Sequence, residues 1–350
     1  MLSSKTFIAV PPGATIKEQL EYRGMSQKEF AVRMDMSQKH ISKLINGEVQ
    51  LTPETAVRLE MVLSVPAEFW NKLESSYREK KIKVESENNM DAEIMIAKQF
   101  PYGEMAKFGW IEETRNPIER VVHLRKYFEV VGLPLLADQQ ITNIACRRLA
   151  ITEKSDLALM AWAQEAKLMA RDIKTAPINT KLLLEKMPQI RKMTLLNPEE
   201  FCPKLKECLA DCGIALVFLP HLKGSFLQGA TFLDGNKIVV GITTRGKDAD
   251  RFWFSLCHEL AHIALGQVGN PNGTTKADEE AADKWSGDIL IAPEAFALFI
   301  KQNDYSKQSV IKFAKEQEIA PGIVVGRLQS EKIIQYNRLN DLKDKYEIAS

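Results

Sequence analysis

The feature that most constrains the fold is a pair of histidines within one predicted helix. Residues 248–265 contain neither proline nor glycine, and Gly266 follows where a helix would end. The stretch includes the H-E-x-x-H motif His258-Glu259-Leu260-Ala261-His262. Residues four apart share a helix face, so both imidazoles can bind one zinc ion, while Glu259 lies beside it to take a proton from a zinc-bound water. The alternative interpretation is a helix with two surface histidines and a solvated glutamate.

A third zinc ligand is expected on a second helix, because a catalytic zinc takes three protein ligands and keeps one open position. The acidic residues at 278–280 are typical of a helix start. Glu279 is the predicted ligand, and Glu280 is the alternative that the sequence leaves open. Asp283, one turn later, is predicted to hold a ligating imidazole through its other ring nitrogen. Alternatively, these acids only complement the helix dipole.

Further motifs extend over about residues 200–300. They are Phe252–His262, Glu279-x-x-Ala282-Asp283-x-Trp285, Leu290–Pro293 and the probable strands 214–219 and 237–242. Together they resemble the ImmA/IrrE family of metallo-endopeptidases. The resemblance implies a zincin-like fold, one Zn²⁺ per chain, a water nucleophile and a protein substrate that is often a transcriptional repressor. One position departs from the family, which often has a glutamate where this chain has Ala281.

A β-hairpin is predicted at 229–242, where Asp234-Gly235-Asn236 separates two apolar runs. The resemblance implies that one of its strands lies beside the zinc helix and pairs with an extended substrate. Residues 90–200 are predicted to be mostly helical. Within them Trp162, Ala166 and Met169 have the spacing of a buried helix face.

The first eighty residues predict four helices with recognisable caps. Ser26 caps the second helix with Glu29 as its capping-box partner, and Ser37 caps the third. Thr52-Pro53 begins the fourth. The second and third helices have the lengths of a helix-turn-helix. The residues expected to pack between them are Phe30, Ala31, Ile41 and Leu44.

The exposed side of the third helix is the predicted DNA-binding surface. Gln38 and Lys39 are expected to contact base edges, whereas Lys28 and Lys43 are expected to contact phosphates. The alternative is a helix-turn-helix that serves dimerisation or partner docking. The full predicted surface is Lys28, Ser37, Gln38, Lys39, Ser42 and Lys43.

A second resemblance covers this N-terminal region. The stretches Pro11–Ala31 and Ile41–Gly47, continued by Thr52–Ala56, Phe69-Trp70 and Tyr77, resemble the Cro/repressor-type helix-turn-helix of HigA-like antitoxins. The resemblance implies a homodimer formed through this domain, binding to operator DNA and neutralisation of a cognate toxin.

The whole chain of 350 residues has a net charge of +1 and is long enough for several domains. The sequence contains no membrane-length apolar run and no signal peptide, and its five cysteines lack regular spacing, so we expect a cytoplasmic protein. The predicted fold is multidomain and mainly α, with an all-α helix-turn-helix domain followed by an α+β zincin-like metallopeptidase domain. The predicted divisions are 1–80, a helical connection 81–200, the peptidase core 201–300 and a helical segment 301–350.

Two functions follow from these patterns. The first is a DNA-binding regulator with a zinc-dependent endopeptidase domain, which cleaves a transcriptional regulator in a stress response. The second is a HigA-like antitoxin or repressor whose peptidase-like domain senses a signal or binds a partner without proteolysis.

Overall fold

The computed structural model describes the chain except for a few residues and one longer segment. The chain divides into two compact units, Met1–Ile94 and Met95–Ser350, which are described separately below. Both consist mainly of helices with small sheets, which confirms the predicted fold class. The residues outside the description are 1, 5, 89, 138–152, 226, 244–247, 271–272 and 347–350.

Among the described residues, the first unit contains a short two-stranded sheet, five helices and the beginning of a sixth. The caps predicted at Ser26, Ser37 and Thr52 are present, since each side chain accepts a hydrogen bond from a backbone N–H of the helix it begins. Glu29 instead pairs with Arg33 at 2.8 Å. The elements are β1 (Leu2–Ser3), β2 (Ile8–Ala9), α1 (Pro12–Tyr22), α2 (Gln27–Arg33), α3 (Gln38–Ile45), α4 (Pro53–Leu63) and α5 (Ala67–Asn88).

The core of this unit lies between α2 and α3 and the helices around them. Phe30 and Ile41 have no accessible surface, and Ala31 and Leu44 are also buried, as predicted. Their burial fixes α3 with its opposite side open to solvent. Helix α5 runs without a break through residue 80, where the sequence predicted a domain boundary.

The second unit begins with helices and ends with helices, and a three-stranded sheet lies between them. The first helical group is α6 (Asp91–Ala97), α7 (Tyr102–Lys107), α8 (Pro117–Tyr127), α9 (Glu153–Arg171), α10 (Thr180–Lys192) and α11 (Pro198–Ala210). The strands are β3 (Ile214–Leu219), β4 (Gly229–Asp234) and β5 (Lys237–Thr243). The second helical group is α12 (Ala249–Ala264), α13 (Lys276–Leu290), α14 (Pro293–Gln302), α15 (Lys307–Glu316) and α16 (Pro321–Ser330).

The sheet has the order β3-β5-β4, so β4 is an edge strand. β5 pairs with β3 in parallel and with β4 in antiparallel register, with Asp234 opposite Lys237. The predicted hairpin is therefore confirmed. On α9, Trp162 and Ala166 are buried as predicted, but Met169 is 44% exposed. Met169 lies at the margin of the helix stripe, where the spacing alone does not separate core from solvent.

Helix α12 has one apolar and one polar face. Trp253, Leu256 and Leu260 are fully buried in the main hydrophobic core together with residues of β3 and β5. Gly266 has a φ of +69°, and its left-handed conformation ends the helix where the sequence predicted. Packing of the apolar face therefore sets the direction in which the histidines on the other face project.

The chain after α16 returns to the first turn of α12. Ala249 N–H donates to the carbonyl of Asp344 at 2.9 Å, and Asp248 forms an isolated antiparallel bridge with Lys345. These contacts satisfy a helix terminus that has no side-chain cap. Of residues 301–346, which the structure describes, those up to Ser330 are mainly helical, and a short 3₁₀ turn follows at Asn340–Leu342.

A buried ion pair reinforces this return. Lys343 Nζ lies 2.7 Å from Asp250 Oδ2, and the two side chains are only 8% and 5% exposed. Lys343 also donates to Gln329 Oε1 at 2.8 Å. The hydrophobic core includes residues from α10 through α16 and from this tail. It extends across residues 200 and 300, where the sequence predicted domain boundaries, and those boundaries stay predictions. Among the described residues, no helix combines the length and apolar character needed to cross a membrane.

Replacement of Lys343 by alanine should destabilise the second unit strongly, because it leaves the Asp250 carboxylate buried without its cation. We expect a loss of about 3–5 kcal/mol in the free energy of unfolding, measured by urea denaturation. The matched control is Lys307→Ala, which removes a pair whose two side chains are more than half exposed and should cost less than about 1 kcal/mol. Equal losses of unfolding free energy in the two variants would contradict the view that the buried pair of Asp250 and Lys343 stabilises the second unit.

Candidate metal centre and DNA-binding surface

Helices α12 and α13 bring the three predicted zinc ligands together. The Nε2 atoms of His258 and His262 are 3.1 Å apart. Glu279, near the start of α13, has one carboxylate oxygen 3.3 Å from His258 Nε2 and the other 3.7 Å from His262 Nε2. One ligand atom from each residue lies within 4.8 Å of the other two. The three residues are at least nine-tenths buried, and their side chains converge on one point.

The donor set and its spacing fit a zinc ion. Ligands at about 2.0–2.1 Å from a tetrahedral zinc stand about 3.3 Å apart, close to the separations between these nitrogen and oxygen atoms. Two imidazoles and one carboxylate are also the ligand types of many catalytic zinc sites. The residues of this chain therefore fit the metal that the H-E-x-x-H motif predicts.

The second ring nitrogen of each histidine is also held. His258 Nδ1 lies 2.8 Å from Asp283 Oδ1, the position predicted for Asp283. His262 Nδ1 lies 2.7 Å from Gln267 Oε1. Such contacts fix the ring orientation and leave Nε2 to face the ligand cluster. Gln267 was not predicted, because its one signal in the sequence is its place directly after the glycine that ends α12.

The geometry separates the two candidate glutamates. Glu279 faces the imidazoles, and Thr274 donates to its Oε1 at 2.6 Å. Glu280 points to solvent, where its side chain is 69% exposed and pairs with Lys276 at 3.6 Å. The start of α13 is set by a capping box between Thr275 and Asp278, which the sequence analysis did not recognise. Of the two carboxylates, only that of Glu279 is positioned to complete the ligand set.

The electrostatics of the cluster couple His258 to Glu279. Burial alone would lower the pKa of His258, but hydrogen bonds to Asp283 and Glu279 outweigh it and raise the pKa to about 9. Burial would raise the pKa of Glu279, but its hydrogen bonds to His258 and Thr274 lower it to about 2. A metal cation that binds here must displace a proton, so binding and deprotonation are linked.

Glu259 is held beside the cluster by the edge strand. Thr231 donates from its hydroxyl to Glu259 Oε2 at 2.7 Å. Burial raises the pKa of Glu259, and the neighbouring His258 and the Thr231 hydrogen bond only partly offset the rise. A carboxylate with a raised pKa is suited to accept a proton near neutral pH.

Gly229 gives this carboxylate its space. A Cβ atom at Gly229 would lie 2.7 Å from Cγ and 2.8 Å from Oε1 of Glu259, which is closer than real contacts allow. Neither Gly229 nor Thr231 could be identified from the sequence, because strand residues that contact a helix side chain leave no periodic signal in it. A glycine at the first residue of a strand indicates such a close approach only in retrospect.

The cluster opens into a cleft of about 660 Å³. It is lined by Gln228 and the first residues of β4, Gly229 and Ala230, and by residues of α12, α13 and α16. Thr243 N–H donates to the Gln228 carbonyl, so Gln228 directs its backbone polar groups toward β5. In an antiparallel pair successive residues alternate in this respect, so the backbone polar groups of Gly229 and Thr231 point away from β5. An unpaired strand edge therefore borders the cluster.

The predicted DNA-binding residues share the exposed side of α2 and α3. Gln38 and Lys39 lie in the first turn of α3, and Ser42 and Lys43 follow one turn later. Ser37 is the N-cap of α3 and uses its hydroxyl for the cap. All six predicted residues, including Lys28 on α2, are exposed. The arrangement matches a recognition helix whose N-terminal residues face outward.

Two families of known proteins match the chain. A helix-turn-helix family profile matches residues 16–70, and the profile of the IrrE N-terminal-like domain of M78 peptidases matches residues 217–329. The chain is 33% identical over 66 residues to the uncharacterized HTH-type transcriptional regulator YddM of Escherichia coli strain K12, which is 19% of this chain and 70% of that protein. A solved structure, an addiction module antidote protein of a HigA family from Coxiella burnetii, is 26% identical and covers 24% of this chain and 94% of its own, with a TM-score of 0.22.

The two profiles and the relative from Escherichia coli confirm a helix-turn-helix domain in the first unit and an IrrE-like domain in the second. The profile matches include the recognition helix at one end and the ligand cluster with Glu259 and Thr231 at the other. The chain belongs to the helix-turn-helix family of transcriptional regulators and carries an IrrE N-terminal-like domain of the M78 peptidases in its second unit.

Proposed function

We propose that this DNA-binding regulator is a zinc-dependent endopeptidase that cleaves a protein substrate, in particular a transcriptional regulator. The observation that carries the proposal is the convergence of His258, His262 and Glu279 within 4.8 Å, next to the buried Glu259. These residues would supply the metal ligands and the general base of the reaction. One zinc ion per chain would be held by the two imidazole Nε2 atoms and the Glu279 carboxylate.

The bound zinc would act as a Lewis acid that lowers the pKa of a water and polarises the peptide carbonyl. Glu259 supplies the base. Its Oε2 is held by Thr231, so Oε1 takes the proton of the attacking water and returns it to the leaving amine. Asp283 and Gln267 keep the two imidazoles from turning, so the metal ligands do not move during proton transfer.

The edge of β4 supports an extended peptide as the substrate. The outward backbone groups of Gly229 and Thr231 can pair with a peptide strand, as a further antiparallel or parallel strand would. Such pairing would recognise the main chain of the peptide and place one of its carbonyl groups near the cluster. It would not select for the side chains of the peptide. Gly229 of this edge and Glu259 line the same cleft.

The first unit would direct the protein to operator DNA as a homodimer. The match to a transcriptional regulator supports the DNA-binding part, whereas dimerisation and a cognate toxin rest on resemblance alone. A regulator without proteolysis is the second candidate function. The same match favours it, and zinc content together with cleavage distinguishes the two.

Zinc content should depend on Glu279 and be independent of Glu280. We expect about one zinc per chain in the wild type and in Glu280→Ala, and a strong loss in Glu279→Ala, which lacks the third ligand. Elemental mass spectrometry on purified protein measures this. Zinc that is lost from Glu280→Ala, or absent from the wild type after metal loading, would contradict the ligand set.

Glu259→Gln should keep zinc and lose cleavage, because the amide cannot accept the proton. We expect cleavage of a random peptide library to fall by at least about 100-fold, as followed by mass spectrometry. His262→Ala should lose zinc and cleavage together. Glu280→Gln is the control, since its side chain is exposed and should leave both unchanged. An active Glu259→Gln variant would exclude Glu259 as the base.

DNA binding should separate phosphate contacts from base contacts. Lys43→Ala should weaken binding to every duplex. It should also reduce the slope of log affinity against log salt concentration by about one, because one fewer counterion is released. Gln38→Ala should relax the preference at one base pair by about 1–3 kcal/mol. Fluorescence anisotropy with the promoter duplex of the gene and a scrambled duplex measures both. Lys17→Ala on α1 is the control, and an effect there equal to that of Lys43→Ala would argue against the assigned surface.

A further inference from the structure

The carboxylates that line the cleft already have partners among the described residues. Asp250 pairs with Lys343 at 2.7 Å. Asp288 and Glu331 both pair with Arg327, at 3.1 and 3.0 Å. Those nearest the ligand cluster are engaged as well, since Asp283 holds His258, Glu279 contacts both imidazoles and Glu259 accepts from Thr231.

Two cations of the cleft differ from these carboxylates. Arg251 is 52% exposed, and its nearest carboxylate is that of Asp248 on its own helix, at 3.7 Å. Lys284 is exposed and has no ion pair within the described part of the chain. Both side chains line the cleft. They are therefore the charged groups of the cleft that are most available to a ligand.

The two cations lie on the same side of the ligand cluster. His262 contacts Glu279, and His258 contacts both Glu279 and Asp283. The two helices therefore run in opposite directions, so residues before His258 on α12 lie on the same side of the cluster as residues after Glu279 on α13. Arg251 lies about 10 Å before His258 along α12, and Lys284 lies about 8 Å beyond Glu279 along α13, at about 1.5 Å per residue. An extended peptide spans these distances with about three residues.

We propose that Arg251 and Lys284 form an anion subsite that binds an acidic side chain of the substrate, about three residues from the scissile bond. The substrate class is then a peptide segment with an aspartate or glutamate at that spacing. This inference rests on the proposed peptidase function and adds the side-chain selection that pairing along β4 does not supply. Its physical basis is a pair of charge-assisted contacts from two helices.

The test uses the full chain with Glu259→Gln, loaded with zinc, so that peptides bind without being cleaved. The probes are short fluorescein-labelled peptides that are identical except for aspartate, asparagine or lysine three residues from the centre on either side. We expect the aspartate peptide to bind about tenfold more tightly than the lysine peptide in fluorescence anisotropy, and high salt should reduce the difference. Adding Arg251→Ala and Lys284→Ala together should abolish it.

The control is Lys276→Ala, which removes an α13 lysine that is 92% exposed and not part of the cleft lining. It should keep the charge preference. Equal affinity for the three peptides, or a preference that survives the double substitution, would overturn the subsite. Cleavage of the same peptides by the zinc-loaded wild type tests the peptidase separately. A preserved preference without cleavage would support the subsite and contradict the proposed function.

Discussion

The hydrogen bond between His258 and Asp283 holds two helices at the separation that the candidate metal centre requires. It joins the polar face of α12 to α13, at 2.8 Å, and turns the imidazole so that Nε2 faces Glu279. The apolar face of α12 is fixed by the core, and the start of α13 by its capping box. The accuracy of the centre therefore depends on the packing and capping of two helices, and on the polar contacts of Asp283 and Glu279 with the histidines.

The buried polar groups of α12 explain why neighbouring elements carry particular residues. A carboxylate buried as deeply as that of Glu259 is costly unless it is hydrogen-bonded. Thr231 supplies that bond from the sheet, and Gly229 leaves room for the side chain. The edge strand thus stabilises the base and borders the cleft at the same time. The same physical requirement, satisfaction of buried polar atoms, connects folding to the chemistry proposed for the site.

Local signals account for the parts that could be predicted. The caps at Ser26 and Ser37 act within one helical turn, and the two histidines share a face because they are four residues apart. Gly229, Thr231 and Gln267 could not be found in this way, because their contacts depend on how a strand and a loop pack against α12. Resemblance to known families identified both units, but only the geometry separated the two candidate glutamates of α13.

The return of the C-terminal tail has a consequence for the order of folding. Lys343 pairs with Asp250, 93 residues earlier in the chain, and neutralises a charge in the first turn of the helix that carries the histidines. A chain still on the ribosome can form the first unit from local contacts, but α12 lacks this cation until residue 343 has emerged. The first unit can therefore fold during synthesis before the helix that carries the candidate metal ligands gains its buried ion pair.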